Sequence, residues 1–507
     1  RDLVRSRGLG DVYKRQGVCF ALLSLLMVSC AQDGFDDETF GSSVRNTTLK
    51  SPELQESCFS TVTMADGSEK VKVTWGVVEG AGGYEVIVNN VDDPQNPVVV
   101  LDSIYDGCSA LFPKAEDTKY SVSVKTMGNA KFNNKDAEEA TLFAYSTMIA
   151  ATVIPNGSDI AEFINANITS SEKEQAFELV AGGEYTLNDV ANFKNNWFTL
   201  RGNKINHPVV KVGDKGSIWT GAGFKLKWID FDCTEMATVT TSNIGLLCLD
   251  AASYDEPGIY ENLKYDVLEY ANGGANQKTL VIEEPIIMSE CMVKNLPMSL
   301  FWANKSTTWA LKDLRVTDCI VQLNNGTTDK ALINFVDEKT GGYLTMTLRN
   351  NTFMNIADNN KAFTLRMANA SNAVPSKLFG KAFEKSGKTT LESNTWVKCM
   401  SGKNFGDRMV SNGNMTFSMN GNIFYDTWRV NKAIGNCTKD IDQAKNTIYC
   451  YTNATDGTDK EKYCTEEDPD FVGPFLQELD LTKPNGGINL KARGEISSTI
   501  GDPRWRE

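Results

Sequence analysis

The chain of 507 residues carries 51 Lys and Arg against 65 Asp and Glu, which gives a formal net charge of −14. This charge argues against binding to nucleic-acid backbones or to anionic lipid, and it is compatible with a neutral or cationic partner. The length predicts two or three domains. The single histidine, His207, and the lack of any Cys-x-x-Cys pair exclude multi-histidine and ribbon-type zinc sites. We interpret His207, in the string NHP, as a turn residue.

The chain begins with residues 1–16, RDLVRSRGLGDVYKRQ, which resemble a sequencing-adaptor translation found at the start of metagenomic proteins. We expect this string to lie outside the folded protein. Residues 17–29 contain an apolar run that is too short to cross a membrane, which needs about 20 residues, and is typical of a signal peptide. The run leads into MVSC, which resembles a bacterial lipobox. This resemblance implies cleavage before Cys30 and diacylation of that residue.

Acidic residues follow the predicted lipid anchor, in AQDGFDDETF at residues 31–40. Charge runs usually belong to a solvated linker, and we predict a linker over residues 30–56. Behind a lipidated cysteine, however, this acidity resembles the signal that brings lipoproteins of the Bacteroidota to the outer face of the outer membrane. We therefore expect an outer-membrane, lipid-anchored monomer that faces the cell exterior, with a periplasmic location as the alternative.

Short segments of alternating hydrophobicity recur between residues 57 and 152, with turn signals between them. This spacing predicts an antiparallel β-sandwich. The order of the segments resembles a fibronectin type III domain, in which Trp75 would be the core tryptophan and Tyr120 the tyrosine of a tyrosine corner. The resemblance implies a spacer module and gives both rings a structural role.

From residue 153 onward the pattern changes. A short amphipathic helix is predicted at residues 159–164, and the next strand ends in AGGEY at Tyr185. This pair resembles the beginning of pectate-lyase-like right-handed parallel β-helices, in which the helix covers the open end of the coil. We therefore predict an all-β protein in which residues 153–507 form a right-handed parallel β-helix with a C-terminal cap.

One short phrase recurs after the predicted helix: an apolar residue, a small residue three positions later, and an aromatic residue or cysteine two positions after that. The copies begin at Leu226, Ile286, Leu314, Leu348, Leu391 and Met419. Their irregular spacing favours turns of a coil with loops of variable length. The phrase predicts two inward side chains around a tight bend, at which Asn adopts the left-handed conformation.

Stacking of the coil's turns predicts two columns of like side chains. One is a hydrogen-bonded ladder of Asn351, Asn394 and Asn422, and the other is an aromatic stack of Phe353, Trp396 and Phe424. Several cysteines in strand-like sequence are expected to be small buried apolar residues, namely Cys233, Cys291, Cys319 and Cys399. Any disulfide is expected between Cys58 and Cys108 or among Cys437, Cys450 and Cys464.

The C-terminal residues 488–505, which include KARGEISSTIGDPRW, resemble the ending of a group of Bacteroidota surface lipoproteins. Members of that group combine a fibronectin type III-like domain with a pectate-lyase-like β-helix. The resemblance covers most of residues 57–507. It implies a fold and a location, and it brings no established reaction with it.

β-Helix enzymes of this type act on acidic polysaccharides, the lyases with a Lys or Arg base and calcium, the hydrolases with clustered aspartates. The hydrolase motifs are absent after residue 155. For a lyase, Asp230 and Asp232 would lie on the outer face of one strand, about 6–7 Å apart, where they could hold calcium. The candidate bases on later turns are Lys305, Arg349 and Arg366. The alternative is that all five are ordinary surface charges.

A polar segment, FWANKSTTWALKD at residues 301–313, carries Trp302, Lys305 and Trp309. The two rings could stack on sugars while Lys305 meets a carboxylate, or they could pack into the coil. The favoured function is a cell-surface lipoprotein that binds polysaccharide in a glycan-acquisition system without catalysis and without a cofactor. The alternative is a calcium-dependent polysaccharide lyase that acts on uronic-acid glycans by β-elimination, and a purely structural surface protein is the third possibility.

Overall fold

The computed structural model describes residues 44–236, 245–249, 265–269, 278–303, 308–326, 330–335, 341–358, 364–366, 374–399, 405–407, 409, 413–427, 429–449, 462–493, 496 and 499–506. The predicted signal peptide, Cys30 and Lys305 lie outside these residues. The chain divides into two compact units, residues 1–149 (unit 1) and 150–507 (unit 2). No helix in the described ranges is long and apolar enough to cross a membrane.

In its described part, unit 1 forms two antiparallel sheets. Its strands are β1 (Phe59–Thr63), β2 (Glu69–Thr74), β3 (Gly83–Asn90), β4 (Val98–Tyr105), β5 (Ser109–Pro113), β6 (Lys119–Met127) and β7 (Thr141–Ser146), with 3-10 turns at Glu56–Cys58 and Ala130–Phe132. One sheet has the order β1-β2-β5 and the other β4-β3-β6-β7. Alternate side chains of both sheets share one buried hydrophobic cluster, because successive side chains of a strand point to opposite faces.

Trp75 and Tyr120 both lie in this cluster, as the sequence predicts. The Tyr120 hydroxyl donates a hydrogen bond to the Pro113 carbonyl at 3.3 Å and accepts one from the Ala115 N–H at 2.9 Å. The ring therefore fixes the corner that leads into β6. Cys58 and Cys108, which the sequence offers as a disulfide pair, are free thiols.

Residues 44–56 pack on the sheets of unit 1 as part of that unit, whereas the sequence predicts a linker there. Leu49 is buried and its N–H donates to the Lys135 carbonyl at 3.1 Å. The Thr126 hydroxyl donates to the Lys50 carbonyl at 2.9 Å. These bonds join groups far apart in sequence, so hydrophobic periodicity could not reveal them.

Unit 2 consists mainly of short strands. In chain order they are β8 (Ala151–Ile154), β9 (Gln175–Leu179), β10 (Glu184–Leu187), β11 (Val190–Asn192), β12 (Phe198–Arg201), β13 (Val209–Val212), β14 (Ser217–Thr220), β15 (Phe224–Lys227), β16 (Asp230–Asp232), β17 (Gly245–Leu249), β18 (Tyr265–Glu269) and β19 (Lys278–Ile282). They continue with β20 (Ile286–Ser289), β21 (Met292–Leu296), β22 (Ser299–Ala303), β23 (Thr308–Thr317), β24 (Ile320–Leu323), β25 (Ile333–Asn334), β26 (Gly342–Arg349), β27 (Thr352–Asn355) and β28 (Leu365–Arg366). The last are β29 (Gly387–Glu392), β30 (Thr395–Val397), β31 (Gly406–Asp407), β32 (Met415–Asn420), β33 (Ile423–Tyr425), β34 (Thr438–Ile441), β35 (Thr447–Tyr449) and β36 (Thr465–Glu466).

Within the described ranges of unit 2, the helices are few and short. They are α1 (Ile160–Asn167), α2 (Pro375–Leu378) and α3 (Asn431–Ile434), with 3-10 turns at Lys381–Phe383, Gln443–Lys445, Pro484–Gly487 and Pro503–Trp505. The predicted boundary after residue 152 falls within β8, which pairs in parallel with β9 and so belongs to unit 2.

Three long sheets run through unit 2. Sheet A has the order β34-β32-β29-β26-β23-β20-β15-β12-β9-β8, sheet B the order β10-β13-β16-β21-β24-β27-β30-β33-β35-β36, and sheet C the order β11-β14-β17-β22-β25-β28-β31. The chain visits A, B and C in turn, as in β9, β10, β11 and then β12, β13, β14, and the neighbours so formed are parallel. This topology agrees with the predicted parallel β-helix.

The first turn of the coil is covered by α1, as predicted. Asp159 caps this helix through the Glu162 N–H at 3.0 Å, and its second carboxylate oxygen accepts from the Asn188 N–H at 3.0 Å beside β10. The Asn165 side chain bonds both the Val190 carbonyl and the Asn192 N–H of β11. The helix thus satisfies polar main-chain groups at the exposed edge of the first strands.

The predicted side-chain columns are present inside the coil. The amide of Asn351 donates to Asn394 Oδ1 at 2.9 Å, and the amide of Asn394 donates to Asn422 Oδ1 at 3.0 Å. A fourth asparagine, Asn446, extends the ladder at 3.1 Å. The rings of Phe353, Trp396 and Phe424 stack with centroid separations of 4.4 and 6.2 Å. The four cysteines predicted to be buried, Cys233, Cys291, Cys319 and Cys399, are all buried.

Two details of the predicted phrase are wrong. Met288 and Val316, not Ile286 and Leu314, lie in register with Leu348, so two copies were placed two residues early. A shift of two residues keeps the same face of a strand inward, and the hydrophobic pattern cannot distinguish the two registers.

The left-handed residue is also not the ladder asparagine. It is the residue before the ladder position, as at Glu290, Asp318, Asn350 and Ser393, whose φ angles are 51°, 56°, 56° and 55°. The bend needs one left-handed residue, and the asparagine beside it instead points its amide into the coil.

Candidate functional site

The described residues of the C-terminal segment 471–505 pack on the outer face of sheet B. Outward apolar side chains of β24, β27, β30 and β33 form a buried cluster with the apolar side chains of this segment. The strand residues are Ile320, Met354, Val397 and Ile423, and the segment contributes Phe471, Leu479, Ile488, Leu490, Ile496 and Trp505. The segment, here named the strap, therefore covers the later turns of sheet B.

The end of the strap is fixed by a buried carboxylate. Asp502 accepts a hydrogen bond from the Thr352 hydroxyl at 2.8 Å, and the Trp505 indole N–H donates to the same hydroxyl at 2.7 Å. Arg504 lies 3.4 Å from the Asp502 carboxylate and donates to the Asp318 carbonyl at 2.8 Å. Burial raises the pKa of Asp502 to about 6, although Arg504 and the hydrogen bonds act in the opposite direction.

An open cleft of about 730 Å³ lies where the strap meets the earlier turns of sheet B. Its floor and one wall come from sheet B and the turns before its strands, and the other wall comes from the strap. The lining residues with polar or charged side chains are Asn206, His207, Asp230, Glu290, Asp318, Thr482, Lys483, Asn485 and Arg504. Residues distant in sequence meet here because parallel turns stack their equivalent positions.

His207 and Asp230 form a pair in the floor of the cleft. The imidazole Nδ1 lies 2.9 Å from Asp230 Oδ1, which also accepts the Met292 N–H at 3.1 Å. The Asp230 side chain is 4% exposed and that of His207 is 22% exposed. The contact with Asp230 fixes the orientation of the His207 ring, and Nε2 is the ring nitrogen that remains to bind a ligand. His207 lies in the bend region before β13, in agreement with the sequence interpretation, and its ring also contacts Asp230.

Glu290 and Asp318 occupy equivalent left-handed positions on neighbouring turns. The Trp228 indole N–H donates to Glu290 Oε1 at 2.9 Å, and the Asn350 amide donates to Asp318 Oδ1 at 3.1 Å. Each carboxylate is thus held by one neutral donor, which leaves it oxygen lone pairs for a ligand's hydroxyl or amine groups.

The predicted calcium pair does not fit a calcium site. Asp230 is engaged by His207 and the Met292 N–H, whereas Asp232 lies 3.3 Å from the Lys294 ammonium and accepts from the Thr234 hydroxyl and N–H. Burial opposes ionisation of Asp232, but the bonds from Thr234 and Lys294 outweigh it and hold its pKa below the usual value. Calcium prefers six to eight oxygen ligands, and among the described residues no group of three or more acidic, His or Cys side chains is placed to hold a metal ion.

The other predicted site residues lie on different sheets. Arg349 ends β26 in sheet A, and Arg366 ends β28 in sheet C, so neither faces Asp230 in sheet B. Trp302 lies in β22 and is 5% exposed, and Trp309 lies in β23 and is fully buried within the core of the coil. Buried rings cannot stack on a sugar, which corrects the binding role predicted for these two tryptophans. Lys305, between them, is outside the described residues.

Sequence reasoning placed Asp230 on the outer face and missed the rest of the cleft. Glu290 and Asp318 each precede a cysteine and hold the same position in two copies of the recurring phrase, so the repeat itself aligned them without marking them as site residues. The strap residues carry no such signal, since only tertiary packing brings them to sheet B.

Two family models match the chain. DUF4992 matches residues 4–191 and DUF4957 matches residues 183–356, and both are described as domains of unknown function. No curated protein matches the chain. Neither description names a ligand or a reaction, so function has to be inferred from the chemistry of the cleft.

Proposed function

We propose that the protein binds polysaccharide in the cleft between sheet B and the strap, as a non-catalytic surface protein of a glycan-acquisition system. The observation that carries this proposal is the cleft itself. Its volume of about 730 Å³ falls within the roughly 300–1,000 Å³ typical of ligand sites. Its polar lining suits a ligand rich in hydroxyl groups, because carboxylates accept and basic groups donate hydrogen bonds.

The other parts of the protein would hold the cleft at the cell surface. Unit 1 would be a fibronectin type III-like spacer, which the buried Trp75 and the corner bonds of Tyr120 support. Unit 2 would be a right-handed, pectate-lyase-like coil. Lipidation at Cys30 would anchor the protein to the outer membrane with the cleft facing the exterior, in the manner of the Bacteroidota lipoproteins that the sequence resembles.

Gel electrophoresis through embedded polysaccharide tests the proposal. The panel should include neutral, amino-sugar and uronic-acid polysaccharides, with the wild-type protein and the variants Asp318→Asn and Asp440→Asn. Asn tolerates the left-handed backbone at position 318, and Asp440 lies on sheet A with 59% of its side chain exposed. We expect at least one polysaccharide to retard the wild type and Asp440→Asn, and to retard Asp318→Asn less. Absence of retardation by the whole panel, or equal retardation of all three proteins, contradicts the proposal.

The calcium-dependent lyase has no comparable support. The pair Asp230 and Asp232 is divided between His207 and Lys294, and no candidate base among the described residues faces it. If a uronic-acid polysaccharide gave an unsaturated product with calcium and not without it, the non-catalytic proposal would have to be abandoned.

A further inference from the structure

The basic and acidic side chains of the cleft do not all form ion pairs with one another. Among the described lining residues, the two permanently charged basic groups each lie beside a carboxylate, Lys483 beside Asp480 at 3.2 Å and Arg504 beside Asp502 at 3.4 Å. The His207 ring lies 2.9 Å from Asp230 and adds a positive charge only when it is protonated. Hydrogen bonds from Thr482 and Lys483 lower the pKa of Asp480 to about 2, so this partner is ionised at neutral pH.

The carboxylates of Glu290 and Asp318 form no ion pair among the described residues, although Arg504 donates to the main-chain carbonyl of Asp318 at 2.8 Å. Glu290 and Asp318 are bonded to the neutral side chains of Trp228 and Asn350. They occupy the same bend on neighbouring turns, which in parallel strands stack about 4.8 Å apart. The excess charge of the cleft lining is therefore negative and lies along one wall, parallel to the stacking direction of the coil.

Resting on the proposed function, we propose that the cleft selects polysaccharides with protonated amino sugars, whose ammonium groups pair with Glu290 and Asp318. A uronic-acid chain would bring its carboxylates against these two groups, and like charges at short range disfavour such a complex. The net charge of −14 favours the approach of the same class of ligand.

The cleft should distinguish a sugar that carries a free amine from the same sugar with an acetylated amine. An ammonium donates three hydrogen bonds and carries a charge, and charge-assisted bonds are about twice as strong as neutral ones. An N-acetyl group is neutral and larger, so it loses the ionic contribution. His207 Nε2 and the Asn485 amide remain for the sugar hydroxyls in either case.

The test compares three soluble oligosaccharides of equal length by titration calorimetry at about pH 6, where an ordinary amine is protonated. The probes are hexameric β-1,4-glucosamine, its fully N-acetylated form and hexagalacturonate. The full chain is used as wild type, Glu290→Gln, Asp318→Asn and Asp440→Asn. Asp318→Asn and Asp440→Asn each remove one negative charge, so an effect of net charge alone would be the same in both variants.

We expect the glucosamine hexamer to bind the wild type about tenfold more tightly than its acetylated form, with an affinity that falls as salt rises. Glu290→Gln and Asp318→Asn should reduce this preference, and Asp440→Asn should keep it. Equal or tighter binding of the acetylated or galacturonate probe, or an unchanged preference in both cleft variants, overturns the inference. Failure of all three probes while a neutral polysaccharide still retards the protein in gels also overturns it and leaves the proposed function standing, whereas failure of every glycan removes both.

Discussion

At the scale of single residues, the interior of the coil depends on amide side chains that bond in two directions. Asn422 accepts from the Asn394 amide at 3.0 Å and donates to the Leu391 carbonyl at 2.8 Å. Its side chain is fully buried, so each of these bonds replaces water that cannot reach the site. The ladder therefore ties the backbone bend of one turn to the next.

Replacement of Asn422 by Ala should lower the free energy of unfolding of unit 2 by about 2–4 kcal/mol, because buried partners lose their hydrogen bonds. The matched control is Asn420→Ala, a half-buried amide two positions earlier that bonds the Asp440 carbonyl at 3.2 Å. It should cost no more than about 1 kcal/mol. Urea denaturation measures both, and equal losses would show that the ladder has no special role.

The buried Asp502 predicts a pH dependence of stability. Its pKa is about 6 in the folded protein against 3.8 for an exposed side chain, so the folded state binds the proton more tightly. The associated stabilisation is complete below pH 3.8 and is lost as the pH rises through about 6. The shift corresponds to roughly 3 kcal/mol at most.

The variant Asp502→Asn removes this titration. Between about pH 5 and 7.5, the wild type should lose more stability than Asp502→Asn, because only the wild type gives up a proton at this position. Parallel urea denaturation at the two pH values measures the difference between the proteins. Identical changes in both would contradict the raised pKa of Asp502.

At the scale of elements, the sequence predicted the features that have a side-chain period, but it did not fix the register of every strand. The α1 helix, the asparagine ladder and the aromatic stack follow from side-chain period and spacing, and all three are confirmed. The register of Met288 and Val316 was missed by two residues, because a strand's period of two makes that shift invisible. The packing of Leu49 was missed because it depends on main-chain bonds.

The strap should be sensitive to its last aromatic anchor. Trp505→Ala removes a buried ring and its bond to the Thr352 hydroxyl, and such a substitution typically costs about 3–5 kcal/mol. The expected result is faster tryptic cleavage after Lys491 and Arg493, mapped by mass spectrometry, before the coil itself is cut. Leu476→Ala, an exposed strap residue, is the control and should leave the cleavage rate unchanged. Cleavage that begins within the coil would contradict a separately detachable strap.

At the scale of the whole molecule, the fold was far more predictable than the site. A parallel coil repeats one sequence pattern many times, so each turn independently predicts the same fold. The residues that line the cleft come from separate parts of the chain, from His207 in an early turn to Arg504 in the strap. Of the residues proposed from sequence, only Asp230 lines it, since no periodic signal marks where the strap stops covering sheet B.

Hydrogen exchange on the full chain, with and without the polysaccharide that retards it most in gels, tests the central claim most directly. Binding in the cleft predicts slower exchange in three separate stretches of the chain, residues 205–207, 290–292 and 481–485. Exchange in unit 1 and on the outer face of sheet A should stay unchanged. Protection confined to unit 1 or to sheet A would place the ligand elsewhere and contradict the cleft as the binding site.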